Sequence, residues 1–364
     1  MHIAIDARVI SSSTGTFVER LLEHLQAIDQ ENRYTVILDR KDLDFWQPRA
    51  ANFAVEAVNV PAHSWAEQSE LLRVLNRIAP DLVHFCMPQQ PLLYRGAKVT
   101  MFHDLTILRI RNERKNAASS LAKRAVGWAS FKLIAATSKR VIAPSQFTKR
   151  DLVDSLGVPE AKVRVIYEAA DADPAATAPY EHAFGRFVLY VGRHSPYKNI
   201  NRLCDAHQRL LADHPDLGLV LVGKLDGEAA QTQSYCRDRG YRNIHFAGFL
   251  PAAQRDWLYQ QSAAYVFPSL AEGFGLPGLE AMGYGAPVVS SRATCLPEIY
   301  GDAALYFDPE DVADMARAVG EVLDDGGLRE EFVRRGRERF AQFSWRRMAE
   351  ETLEEYRRAN ERAA

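Results

Sequence analysis

Residues 264–282 read AYVFPSLAEGFGLPGLEAM: a short apolar run, a loop rich in glycine, then a segment of helical period. A strand feeding a glycine turn and a helix is one step of a βαβ unit, and the fold class follows from how often that step recurs. It recurs along the whole chain. In the first half apolar, β-branched runs lie at 2–7 (HIAIDA), 34–39 (YTVILD), 53–60, 81–86 (DLVHFC), 98–103 (KVTMFH), 140–144 (RVIAP) and 163–168 (VRVIYE). Helical patterns lie between them, as with Phe17, Leu21, Leu22, Leu25 and Ile28 on one face. In the second half the runs lie at 187–191, 217–222, 244–248, 264–268, 287–290 and 304–307, followed by three helical segments at 310–323, 327–341 and 345–361. The pattern predicts an α/β protein of two Rossmann-like parallel-sheet domains facing a central cleft.

Between the halves, AADADPAATAPYEHAF (169–184) loses all period and gathers Ala, Pro and acids, as a linker does. The expected organisation is therefore a domain over 1–170, a linker over 171–184, a second domain over 185–344, and a last helix over 345–364 that packs back on the first domain. The 364 residues carry 45 Lys+Arg against 47 Asp+Glu, a net charge of -2 that offers no basic excess for nucleic acid. No apolar run approaches the roughly 18–20 residues needed to span a bilayer, and the segment from Met1 to Asp6 is no signal peptide. Cys86, Cys204, Cys236 and Cys295 are scattered without a C-x-x-C pair and read as reduced, buried thiols of a cytoplasmic protein.

Ligands of open parallel sheets bind beyond the carboxyl ends of the strands, which directs attention to the loops 8–17, 102–106, 193–199, 224–227 and 269–276. In the last of these the amides at a helix start, with Pro277 in its first turn, form an anion site. Its glycines read as positions where the backbone approaches a ligand. Glu272 and Glu280 bracket that site with acceptor oxygens, which suit sugar and ribose hydroxyls rather than phosphate. After 187–191 the chain reads GRHSPYKN, delivering Arg193 and Lys198 to the same sheet edge. A guanidinium fork and an ammonium together offset the charge that builds on a departing diphosphate.

These residues resemble those of the retaining glycosyltransferases of family 4, which have the GT-B fold. The resemblance runs over nearly the whole chain: HDL at 103–105, APSQFT at 143–148, VGRHSPYKN, FAGFL at 246–250, FPSLAEGFGLPGLEAM with its E-x7-E spacing, GAPVVSS, and LPEIYGDAALYFDP. It implies an acceptor-side first domain and a nucleotide-sugar-binding second one, with no metal and no cofactor. Carried over by position, Arg193 and Lys198 hold the donor diphosphate and Glu280 the nucleotide ribose. Glu272, with the amides of Gly273, Phe274, Gly275 and Leu276, holds the transferred sugar and the phosphates. Gly248, Phe249 and Leu250 lie by the base, and His103 reaches the sugar from the first domain. His103, Arg193, Lys198 and Glu272 are the implied catalytic set. The loop SSSTGTF (11–17) is poorer in glycine than the family's usual version and leaves Gly15 as the candidate for approach to the phosphates. VIYEAAD (165–171) stands where the family commonly has N-G-x-D.

The resemblance implies transfer of a hexosyl unit, first of mannose from GDP-mannose, to a hydroxyl of a glycan or lipid-linked acceptor. UDP-glucose or UDP-N-acetylglucosamine as donor, and a non-catalytic nucleotide-sugar-binding protein, are the alternatives. Gly273-x-Gly275-x-x-Gly278 also matches a dinucleotide fingerprint, but Glu272 and Glu280 have no task against a nicotinamide cofactor. From Arg109 to Arg140 nine cations face a single acid, Glu113, with Leu121, Val126, Trp128, Phe131, Leu133 and Ile134 interleaved. A basic helix bearing a Trp suits peripheral contact with an anionic membrane surface, here the inner face of the cell membrane; a partly buried helix with charged edges is the other reading.

Overall fold

In the computed structural model, which describes residues 1–12, 14–61, 64–109 and 117–361, every strand expected from the sequence forms. Seven belong to a first sheet: β1 His2–Asp6, β2 Arg33–Asp39, β3 Phe53–Val58, β4 Leu82–Phe85, β5 Lys98–Met101, β6 Arg140–Ala143 and β7 Val163–Val165. They lie in the order β3-β2-β1-β4-β5-β6-β7 and every pairing is parallel. The second sheet holds β8 Arg186–Val191, β9 Leu217–Val222, β10 Ile244–Gly248, β11 Ala264–Phe267, β12 Val288–Ser291 and β13 Ala304–Phe307. Its order, β10-β9-β8-β11-β12-β13, is again wholly parallel and is that of the doubly wound dinucleotide-binding fold. The apolar runs are continuous rather than alternating because helices cover both faces: all residues of β4, β9, β11 and β12 are buried.

The chain divides into two compact units, Met1–Glu168 with Ser344–Ala364, and Ala169–Phe343. The stretch read as a linker is a packed part of the second unit. Ala178 N–H donates to the Ala253 carbonyl at 2.9 Å, Thr177 to Gln260 at 3.0 Å, and the Tyr180 hydroxyl meets His245 at 2.9 Å. The segment lacks a period because it forms no regular element, yet its backbone and side chains find partners on the helix Ala252–Gln261 and on β10.

The last helix, Trp345–Asn360, returns to the first unit, where it packs on the helix Gly15–Ile28 and on β4, β5 and β6. It buries Trp345, Met348, Leu353 and Tyr356. The Tyr356 hydroxyl meets His84 Nδ1 at 2.5 Å, and Arg140 Nε donates to Glu355 at 2.5 Å. All four cysteines are free and buried.

The helix Ala117–Thr137 carries part of the basic stretch. Arg111, Glu113, Arg114 and Lys115 lie outside the described residues. Trp128 faces inward: with Phe131 it packs against the core of Phe102, Leu105, Leu108 and Ile134. Val126 and Leu133, 66% and 45% exposed, are the apolar side chains that face solvent. Among the described residues no helix is long and apolar enough to cross a membrane.

Candidate active site

In the second sheet the strand order reverses between β8 and β11, and the crevice of such a sheet opens at the carboxyl ends of that pair. The loops singled out in the sequence, 193–199 and 269–276, are the ones that follow these two strands. They are stitched together. Asn199, in left-handed backbone at φ 63°, donates through Nδ2 to the Pro268 and Pro309 carbonyls at 3.0 and 2.7 Å. Leu270 N–H donates to the Tyr197 carbonyl at 2.8 Å.

This stitching brings Lys198 and Glu272 into contact. Lys198 Nζ donates to Glu272 Oε1 at 2.6 Å, with the two side chains only 13% and 12% exposed. The ammonium also lies 5.1 and 5.4 Å from the ring centres of Tyr197 and Phe267. It is held by a carboxylate and two aromatic faces, and one of its three N–H donors is committed to Glu272. Arg193 is exposed on the same loop, its carbonyl accepting from the Tyr190 hydroxyl at 2.7 Å.

The glycines of 272–278 serve a purpose the sequence did not disclose. Gly275, at φ 100°, opens the helix Leu276–Gly283, and the buried Tyr300 hydroxyl donates to its carbonyl at 2.5 Å. A Cβ at Gly275 or Gly278 would come within 2.6 or 2.3 Å of that hydroxyl oxygen. Both glycines make room for Tyr300, and the tyrosine fixes the path of the loop. Glu272 N–H donates to Thr294 at 3.0 Å, and Phe274 is buried edge-on against Phe343. Leu276 is half-buried in the first turn. Gly15 is likewise packed tightly against its own loop. A Cβ there would lie 1.8 Å from the Ile10 carbonyl oxygen, and its N–H is already donated to the Ser12 carbonyl at 3.0 Å.

On the β10 side, Gly223 N–H donates to the Gly248 carbonyl at 3.0 Å. Gly248 has φ 75°, and Leu225 lies in van der Waals contact with the place its Cβ would occupy. Phe249 and Leu225 are 85% and 54% exposed, an unusual pair of large apolar side chains on one loop cluster; Leu250 beside them is half-buried. Glu280, in the helix that starts at Leu276, accepts from the Tyr259 hydroxyl at 3.1 Å. Burial pushes its carboxyl above the usual range, against the pull of Arg255 and Tyr259.

In the first unit His103 follows β5. Its Nε2 meets the Cys86 carbonyl at 3.1 Å, so that nitrogen carries a hydrogen, and its Nδ1 meets Glu168 Oε1 at 3.0 Å. Burial opposes a charge on the ring, but the Glu168 carboxylate, the Cys86 carbonyl and Asp104 outweigh it and raise the pKa. Beyond β1, Arg8 is buried and bonded to Asp6 at 2.8 Å and to Glu67 at 3.1 Å. The same guanidinium reaches the Val60 carbonyl at 3.2 Å, tying three loops of that sheet edge together. Glu168, Tyr300 and Leu225 were missed in the sequence. The one legible hint was Glu168, a carboxylate standing where an asparagine is usual.

Two parallel-sheet units of this order, with a cation–carboxylate pair and a tyrosine-braced helix start at the switch point of the second, define a GT-B sugar-nucleotide enzyme. The family models bear this out: residues 182–339 match the group 1 glycosyl transferases and residues 14–174 match Glycosyltransferase Family 4. The O-antigen chain mannosyltransferase B of Escherichia coli is 30% identical over 279 residues, covering 71% of this chain and 70% of that protein. The serotype-specific mannosyltransferase WbdA of Escherichia coli is 35% identical over 178 residues, 47% of this chain but 22% of that much longer protein. In fold, the sucrose-phosphate synthase of Thermosynechococcus elongatus superposes with a TM-score of 0.78 at 20% identity, covering 98% of each chain. The chain belongs to the family-4 glycosyltransferases and is a hexosyltransferase.

Proposed function

We propose that the protein transfers a mannosyl unit from GDP-mannose to a hydroxyl of a glycan or lipid-linked acceptor, with retention of anomeric configuration. The observation that carries the reading is the Lys198–Glu272 pair at the switch point of the second sheet. A cation there is preorganised for a leaving diphosphate, and its carboxylate partner can accept from hydroxyls of the sugar being released. Arg193 adds a second cation at the same edge. Glu280 serves the ribose, and Phe249 with Leu225 and Gly248 gives the base a flat apolar seat. His103, on the first unit, serves the transferred sugar. Mannose is favoured over glucose or N-acetylglucosamine because both Escherichia coli relatives named above are mannosyltransferases.

The chemistry asked of the protein is positioning and charge stabilisation. The acceptor hydroxyl attacks the anomeric carbon on the face the diphosphate leaves, and its proton passes to a donor phosphate oxygen. No side chain forms a covalent glycosyl intermediate. A thermal-shift series of GDP, UDP and ADP with their sugars tests the donor, since a ligand that binds only the native state raises Tm by mass action. Stabilisation by GDP and GDP-mannose is expected; stabilisation by UDP and UDP-sugars alone overturns the mannose assignment. Donor binding with no turnover across an acceptor series would make the protein a nucleotide-sugar binder.

The enzyme also works at an anionic membrane surface through the outward face of the helix Ala117–Thr137, which exposes Val126, Lys132 and Leu133, with exposed Lys139 just beyond its end. Flotation with vesicles containing anionic lipid at low salt is expected to carry the protein upward, and Val126→Asp with Leu133→Asp to abolish it.

A further inference from the structure

Both ring nitrogens of His103 are already committed to the protein: Nε2 to a carbonyl, which can only accept, and Nδ1 to a carboxylate. The pair is enclosed, with side-chain exposures of 13% for His103 and 5% for Glu168. With Nε2–H fixed by Cys86, a second hydrogen on Nδ1 makes the ring an imidazolium facing an ionised Glu168. Such a ring has no lone pair with which to take a proton from a substrate.

We propose that Glu168 is a positioning residue that holds His103 as a fixed imidazolium at the carboxyl edge of the first sheet, so that His103 serves the transfer as a stationary positive charge and not as a proton acceptor. The inference rests on the reading of His103 as a residue of the transfer site. It accounts for the carboxylate at a position where the resembling family has an amide, since Asn could bond the ring but would not hold its charge.

The surroundings support a charge that stays in place. Phe17, from the helix Gly15–Ile28, meets the ring edge-on at 5.2 Å and carries no charge. His84 on β4, also in its field, is driven by burial to a pKa of about 3 and stays neutral. Thr148, in the helix Gln146–Leu156, donates to the His103 carbonyl at 3.4 Å and brings only a hydroxyl. Asp104 adds negative field from the adjacent residue, and Cys86 contributes its carbonyl, its thiol being pushed up by burial. Glu168 is therefore the carboxylate in direct hydrogen-bond contact with the imidazole ring.

NMR titration of the His103 ring in the full-length protein, assigned with His103→Asn, tests the pair without reference to activity. In the wild type the ring is expected to titrate above 6.5. In Glu168→Gln it is expected to fall by about one unit or more, and in Glu168→Asp to recover in part. The basic limb of kcat/KM should move with it, so that the loss in Glu168→Gln deepens about tenfold between pH 6 and pH 8. A His103 pKa unmoved by Glu168→Gln overturns the pair. A pKa that moves while the pH profile of kcat/KM stays where it was overturns the use of that charge in transfer, and with it the assignment of His103 to the site. Melting curves of the two Glu168 variants separate either result from misfolding.

Discussion

Lys198 and Glu272 meet at 2.6 Å at the proposed site. Lys198→Ala should lower kcat by about 10²–10³-fold, the usual cost of losing one preorganised donor to a developing charge. The dissociation constant for the nucleoside diphosphate should change far less, because the lysine matters most as the leaving group forms. Equal losses in binding and in kcat would show that Lys198 only holds the ground state. The His103–Glu168 pair makes a second prediction. A folded-state pKa above the ordinary 6.5 means the ring binds its proton more tightly in the native protein. That stabilisation is complete below about pH 6.5 and is lost as pH rises through the raised value. Tm measured from pH 5 to 9 should therefore decline across this window in the wild type, and the decline should flatten in Glu168→Gln. Residue types, spacing and the family resemblance directed attention to Lys198, Glu272, Glu280 and His103. They could not reveal that each is already bonded to a neighbour, because Tyr259, Cys86 and Glu168 come from a helix and two loops brought alongside only by the fold.

At the scale of elements, the strands were legible in place, though 163–168 shortens to Val163–Val165 and 53–60 to Phe53–Val58, because parallel strands covered on both faces are written as unbroken apolar runs. Loops were harder to read. The glycines of the loop 269–276 read as points of approach to a ligand, and nothing in the sequence shows that Gly275, together with Gly278, also makes room for Tyr300, which lies some twenty residues further along the chain. Gly278→Ala should destabilise the protein by about 1–3 kcal/mol, the range for a side-chain atom forced into a packed site. Chemical denaturation reads this directly. Pairing it with Tyr300→Ala, which clears the space, should make the two changes strongly non-additive, whereas simple additivity would mean the glycine answers to something else. The same loop carries Glu272, so Tyr300→Ala alone should also weaken donor binding although the tyrosine is buried.

At the scale of the whole molecule, the chain closes the first unit with its own last helix after the second unit is complete. Periodicity made that helix visible, but only the fold accounts for its burial pattern. Trp345, Met348, Leu353 and Tyr356 are buried against the first sheet and the helix Gly15–Ile28. At about 1.5–3 kcal/mol for each fully buried large apolar side chain, these four amount to about 6–12 kcal/mol before any hydrogen bond is considered. That is as large as the roughly 5–15 kcal/mol by which a domain is stable at all. A chain ending at Phe343 should therefore lose the first unit and keep the second. Limited proteolysis should degrade residues 1–168 while a fragment near 169–343 persists, and GDP should still protect that fragment. Tyr356→Phe is the milder version: it removes the hydroxyl bonded to His84, a buried ring whose other nitrogen has no hydrogen-bond partner. Its cost should be about 1–3 kcal/mol, the price of a buried polar group left unpaired. The loss should appear in the unfolding transition of the first unit and leave nucleotide binding by the second unchanged. If truncation at Phe343 instead left the first unit resistant to protease, the last helix would be an accessory and not part of its core.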